Sequence, residues 1–166
     1  REPAEREYFE ERIRPLLGPD VEFLGEISPD ERVRQLGGAV ALLNPITWTE
    51  PFGLVMIEAA ACGTPVIAYP NGAAPEIVVD GTTGFLCDGV DEAADAVGRV
   101  GRLDRGACRA HVEATFSARR MVRRYEHLYR DVVANFRDRS PLPPSGALLP
   151  GAAYLRRPLR EPVPHD

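Results

Sequence analysis

Apolar positions along the chain switch several times between helical and extended spacing, and each switch marks an element. Phe9, Ile13, Leu16 and Leu17 recur at helical intervals after Pro3, so residues 3–17 are predicted to form a helix stopped by Gly18-Pro19. Val21 to Leu24 reads as a short strand ended by Gly25. A second helix opens at Ser28-Pro29-Asp30-Glu31, with Ser28 as cap and Glu31 placed for a capping box, and runs to about Leu36 before Gly37-Gly38. Ala39 to Leu43 is an apolar run without charge, as expected of a parallel strand buried on both faces.

The middle of the chain, residues 44–71, reads NPITWTEPFGLVMIEAAACGTPVIAYPN. A polar loop leads into an apolar helix with Pro51 in its first turn; Cys62-Gly63-Thr64 stops it, and Pro65 to Ala68 follows as a strand. Beyond a small-residue loop, Asn71 to Ala74, come a short helical turn at Pro75 to Val79, a tight turn at Asp80-Gly81 and a last strand at Gly84 to Leu86. Asp91 to about Val100 is a helix with Ala94, Val97 and Val100 near one face, and Arg105 to Phe116 is another. Ser117 caps a long helix to about Arg139 with an apolar stripe of Met121, Tyr125, Leu128, Val132 and Phe136. Residues 1–139 thus form one expected domain. The remainder, 140–166, is a tail expected to be disordered, with seven prolines in the last 26 residues.

Strands alternating with helices predict an α/β fold, a Rossmann-like parallel sheet with helices on both faces. Ligands of such sheets sit outside the carboxyl ends of the strands. That rule selects Asn44 to Phe52 and Tyr69 to Ala74, the loops after two successive strands.

Composition narrows the function. A chain of 166 residues has room for one domain with a real core. A net charge of −5 argues against nucleic-acid or membrane-surface binding, and no apolar run approaches the ~20 residues of a membrane span. Cys62, Cys87 and Cys108 are widely spaced without a CxxC pair, so they read as small buried thiols of a reducing, cytoplasmic compartment rather than a disulfide framework or metal site. All the cations are Arg, and the chain begins at Arg1 without Met, which reads as a fragment or processed product.

The chemistry concentrates between Glu50 and Glu58. Gly53 lets a ligand approach the main chain, and the N–H groups of Phe52, Gly53 and Leu54 at a helix start favour a phosphate or another anion. Glu50 and Glu58 offer acceptor oxygens for ring and ribose hydroxyls. Donors for a diphosphate beside acceptors for two sugars describe a nucleotide-sugar site. On spacing alone the structural roles are favoured: a Glu at a helix start is usually a capping or dipole-favoured residue, and a Glu inside a helix is usually solvated.

The E-x7-E motif in EPFGLVMIE, the following AAACGTPVIAYPNGAAPEIVVDGTTGF and the preceding DVEFLGEISPDERVRQLGGAVALLNPITW together resemble the C-terminal half of a GT-B glycosyltransferase of family 4, over residues 21–133. The resemblance implies transfer of a sugar from a UDP- or GDP-sugar to an acceptor hydroxyl with retention at the anomeric carbon, and no bound metal or other cofactor. It assigns Glu50 to the transferred sugar, Glu58 to the ribose, and the amides of Phe52, Gly53 and Leu54 to donor sugar and phosphates. One departure stands out: no Lys or Arg occurs from Ala39 to Val90, although a departing diphosphate needs cations. In the family an Arg/Lys pair lies upstream, and an N-terminal domain carries most of the acceptor site. The chain alone is therefore expected to hold half a donor site and to lack turnover. The alternative is a non-catalytic nucleotide-binding or interaction remnant of such an enzyme.

Other candidates have bland readings. His111 and His127 lack metal-ligand spacing, and Glu76 follows Pro75 at a helix start where the dipole explains it. Trp48 either stacks on a ligand or packs under its loop. Gly72 either lets backbone approach a ligand or makes a plain turn. The pairs Arg119-Arg120 and Arg123-Arg124 read as a solvated helix face. A phosphoacceptor signalling domain is disfavoured because no strand end presents clustered Asp residues.

Overall fold

Strand β2, Val66–Ala68, is the axis of the domain: all three residues are buried, as a charge-free run flanked by Pro65 and Tyr69 allows. In the computed structural model, which describes residues 3–137, it pairs in parallel with β1, Leu42–Asn44, on one side and β3, Gly84–Leu86, on the other. Leu42 lies opposite Val66, and Val66 opposite Gly84.

Alternation along β2 divides the core between two layers. Val66 and Ala68 pack with Met56 and Ala59 of helix α3, Leu54–Ala61, and with Ala74 and Ile77 of the short α4, Ala74–Ile77. Ile67 points the other way, onto Cys87 and onto Ala96 of α5, Val90–Arg99. Helices thus cover both faces of a parallel sheet, so the Rossmann-like expectation holds. Behind α3, Ala60 meets Cys108 and Val112 of α6, Arg105–Phe116.

Helix α2, Pro29–Gly38, starts as its cap predicts: Ser28 Oγ accepts from the Glu31 amide at 3.2 Å. The reciprocal half of the capping box is absent, because the Glu31 carboxylate turns to Arg34 and Gln35 instead. The hydrogen bond from Arg34 holds the Glu31 carboxyl below its ordinary pKa. At its other end, Arg105 donates to Gly37 O and Ala39 O, both at 2.8 Å, satisfying carbonyls at the helix terminus. Thr64, fully buried at the start of β2, donates to Leu36 O at 2.5 Å and accepts from Arg105 at 2.9 Å.

Several expectations are corrected. Residues 3–17 are helical in three pieces: α1, Pro3–Tyr8, a π turn at Phe9–Ile13 and a 3₁₀ turn at Arg14–Leu16. Pro15 is the cause: it lacks an N–H, and its ring crowds the carbonyl four residues back, so the preceding turn widens and Arg14 N–H bonds Phe9 O. Val21 to Leu24 is no strand; Val21 pairs only with Gly18, in an antiparallel bridge, and the Phe23 ring packs tilted against Phe9 with centroids 4.6 Å apart. An apolar run without a neighbouring strand has no ladder to join. Ala39 to Leu43 is not a strand buried on both faces, since Ala39 ends α2 and the strand begins at Leu42. β1 lies at the sheet edge with Leu43 57% exposed. On α5 the inward face is Ala93, Ala96 and the following Val100; Ala94 and Val97 are exposed.

The chain divides into two compact units at Arg120. From Met121 the second unit is helix α7, Ala118–Arg137, whose apolar stripe of Met121, Tyr125, Leu128, Val132 and Phe136 is exposed. The Pro-rich segment 140–166 lies outside the described residues.

Candidate functional site

The carboxyl ends of β1 and β2 release the two loops chosen from the sequence, and the structure stitches them together. Asn71 Nδ2 donates to Ile46 O at 3.1 Å, and the Ala73 amide donates to Glu50 O at 2.8 Å. Gly72 sits between them at φ +55°, and a Cβ there would lie 2.5 Å from the Glu50 nitrogen and closer still to its carbonyl oxygen. The turn reading holds, since the Ala74 amide donates to Asn71 O at 3.2 Å, but this turn is closely packed on its neighbour. Gly72 allows one loop to back directly onto the main chain of Glu50.

Glu50 is half-buried and turned inward. Its Oε1 accepts from the amides of Gly53 at 3.1 Å and Phe52 at 3.4 Å. Two of the three amides expected to be open to an anion are thus already held by the motif's own carboxylate. The helix also starts later than Pro51: Gly53 adopts the left-handed conformation, φ +71° and ψ +46°, and α3 begins at Leu54. A left-handed residue cannot continue a right-handed helix, so Pro51 and Phe52 stay in the loop. The amides of Leu54 and Val55 occupy the first turn of α3, where no intrahelical carbonyl can reach them. Trp48 and Phe52 are exposed around this entrance, 58% and 59%.

Glu58 lies one turn beyond Leu54 and is half-buried. It is paired: Arg32 of α2 places Nη2 3.3 Å from Glu58 Oε1. Sequence reasoning missed this cation. Arg32 is 26 positions from its partner, and only the packing of α2 on α3 brings them together. The site therefore has a positive group, delivered from outside the cation-free interval.

The remaining candidates fall to packing. His111 sets its ring edge-on to Phe116, with a buried Nε2 lacking a hydrogen-bond partner, and His127 Nδ1 meets Arg123 O at 2.8 Å. Glu76 stands exposed in the first turn of α4. Cys87 and Cys108 are buried, and burial pushes both thiols above the ordinary pKa; Cys62, expected to be buried, is half-exposed at the end of α3. Among the described residues no three His, Cys, Asp or Glu side chains converge as metal ligands, and no helix is long and apolar enough to cross a membrane.

A parallel sheet covered on both faces, with two loops stitched together at its carboxyl edge, is the doubly wound α/β architecture whose ligands sit outside the strand ends. The chain belongs to the glycosyl transferases group 1 family, whose model matches residues 2–105, and its fold is that of the C-terminal half of GT-B glycosyltransferases. It is 40% identical over 126 residues to a D-inositol 3-phosphate glycosyltransferase of Mycobacterium sp. (strain KMS), covering 73% of this chain and 28% of that protein. An N-acetyl-alpha-D-glucosaminyl L-malate synthase of Bacillus anthracis shares 34% identity over 119 residues, 67% of this chain and 30% of its own length. Among solved structures, a sucrose-phosphate synthase from Thermosynechococcus elongatus superposes with a TM-score of 0.68 at 33% identity, over 80% of this chain and 35% of that one. The chain spans under a third of the length of these two curated relatives.

Proposed function

We propose that this chain is the nucleotide-sugar-binding portion of a retaining family 4 glycosyltransferase. The observation that carries the reading is the disposition of Glu50. Its Oε1 is fixed by the amides of Phe52 and Gly53, and its main chain is clamped by Gly72 and Ala73. The other oxygen then accepts from a hydroxyl of the transferred sugar with little freedom to lose. Glu58, one turn into the helix that follows this loop, accepts from the ribose. The diphosphate lies between them at the first turn of α3, where the Leu54 and Val55 amides and the helix dipole favour negative charge. The family match supports transfer of a sugar; on this reading the donor is a sugar nucleotide, the acceptor is a hydroxyl group and the chemistry calls for no metal. UDP- and GDP-sugars are the donors to test.

With no Lys or Arg from Ala39 to Val90 and with Arg32 already paired to Glu58, the leaving diphosphate finds little neutralising charge. The chain by itself is therefore proposed to bind a donor without transferring its sugar.

Titration calorimetry with UDP and GDP tests the reading. Saturable binding of one of them, weakened about 10–100-fold by Glu58→Ala, is expected for the loss of a hydrogen bond to a charged acceptor. Absence of binding to the unaltered chain would overturn it.

A further inference from the structure

We propose that Arg32 is the positioning residue for Glu58, holding one carboxylate oxygen so that the other faces a ribose hydroxyl of a nucleoside diphosphate. The inference rests on the reading of Glu58 given above. Arg32 Nη2 lies 3.3 Å from Glu58 Oε1, with the two side chains 47% and 28% exposed. Neither helix requires this pairing for its own sake. In α2 the local acid, Glu31, is already occupied by Arg34 and Gln35, three and four positions on. In α3 the residues one turn either side of Glu58 are Leu54, Val55, Ala61 and Cys62, none with a side chain able to orient a carboxylate.

As a device for stability the pair is weak, because ion pairs at this exposure contribute little to folding. As a device for recognition it is effective. A glutamate on a helix surface samples several rotamers, and a ligand that needs one of them must oppose that entropy. A guanidinium delivered from a second helix selects the rotamer beforehand. It also balances the charge of a carboxylate that will sit near a diphosphate.

The test compares the affinity of the unaltered chain for whichever of UDP and GDP binds more tightly with its affinity for the 2′-deoxy and 3′-deoxy analogues. The unaltered chain is expected to prefer the ribonucleotide about tenfold or more over at least one analogue. Arg32→Gln should bring that ratio near one with an unchanged melting temperature, and Arg32→Lys should restore part of it. A merely structural role would move the melting temperature and leave the ratio alone. A ratio that collapses in Glu58→Ala but survives in Arg32→Gln would overturn the role of Arg32 and leave the reading of Glu58 standing. A ratio indifferent to Glu58→Ala would overturn both.

Discussion

At the scale of single residues, Gly72 and Gly53 have positive φ for the same site but differ in what surrounds them. A side chain at Gly72 would meet main-chain atoms of Glu50, which cannot move without carrying the motif. At Gly53 the nearest atom is the terminal methyl of Met56, which can swing, with Ile77 Cδ1 at 3.1 Å behind it. Gly72→Ala should therefore cost about 2–4 kcal/mol, combining left-handed strain with overpacking, and Gly53→Ala about 1–2. Urea denaturation checks the ranking, and equal midpoints would refute it. Glu50, Gly53 and Glu58 were legible from the sequence as a motif. The contact of Gly72 with Glu50 and the pairing of Arg32 with Glu58 were not, because contacts between separate elements leave no periodic trace.

At the scale of elements, capped helices and the strands β2 and β3 were legible in the sequence, whereas the apolar run at Val21 to Leu24 misled. Ser28 and Asp104 cap α2 and α6 through local hydrogen bonds that depend only on neighbouring residues. Val21 to Leu24 has the apolar composition of a strand, yet strand identity also depends on a partner, and its only bridge is back to Gly18. Arg105 makes the opposite point. A lone Arg after a capping Asp carries no signal, yet it closes the end of α2 and buttresses Thr64 at the start of β2. Arg105→Ala is expected to lower stability by about 2–3 kcal/mol, as three charge-assisted hydrogen bonds disappear from a largely exposed side chain. Thr64→Val should remove one of those bonds and the bond to Leu36 O. In a double-mutant cycle the two effects should fall short of additivity by about 0.5–1 kcal/mol. Full additivity would show that the two side chains act independently.

At the scale of the whole fold, a parallel sheet covered by helices was readable from alternating helices and strands, but the order β1-β2-β3 and the condition of its margin were not. β1 ends the sheet, and between it and α5 lies an open apolar cleft of about 380 Å³ lined by Leu43, Pro45, Tyr69, Val90, Ala93 and Val97. Burial periodicity cannot distinguish a strand in mid-sheet from one at the edge, because both are apolar runs. Leu43→Arg should weaken binding of the fluorophore ANS to this cleft several-fold while changing stability by less than about 0.5 kcal/mol, as for an exposed position. A large loss of stability would mean that Leu43 is more buried in solution than in this structure. The stitching of the two site loops bears on how such a protein can vary. Because Asn71, Gly72 and Ala73 hold the backbone from Ile46 to Glu50, residues 44–74 form one inheritable cassette. Recombination between relatives that cuts inside it would pair a loop with a stranger's clamp, so crossovers that preserve function should fall on either side.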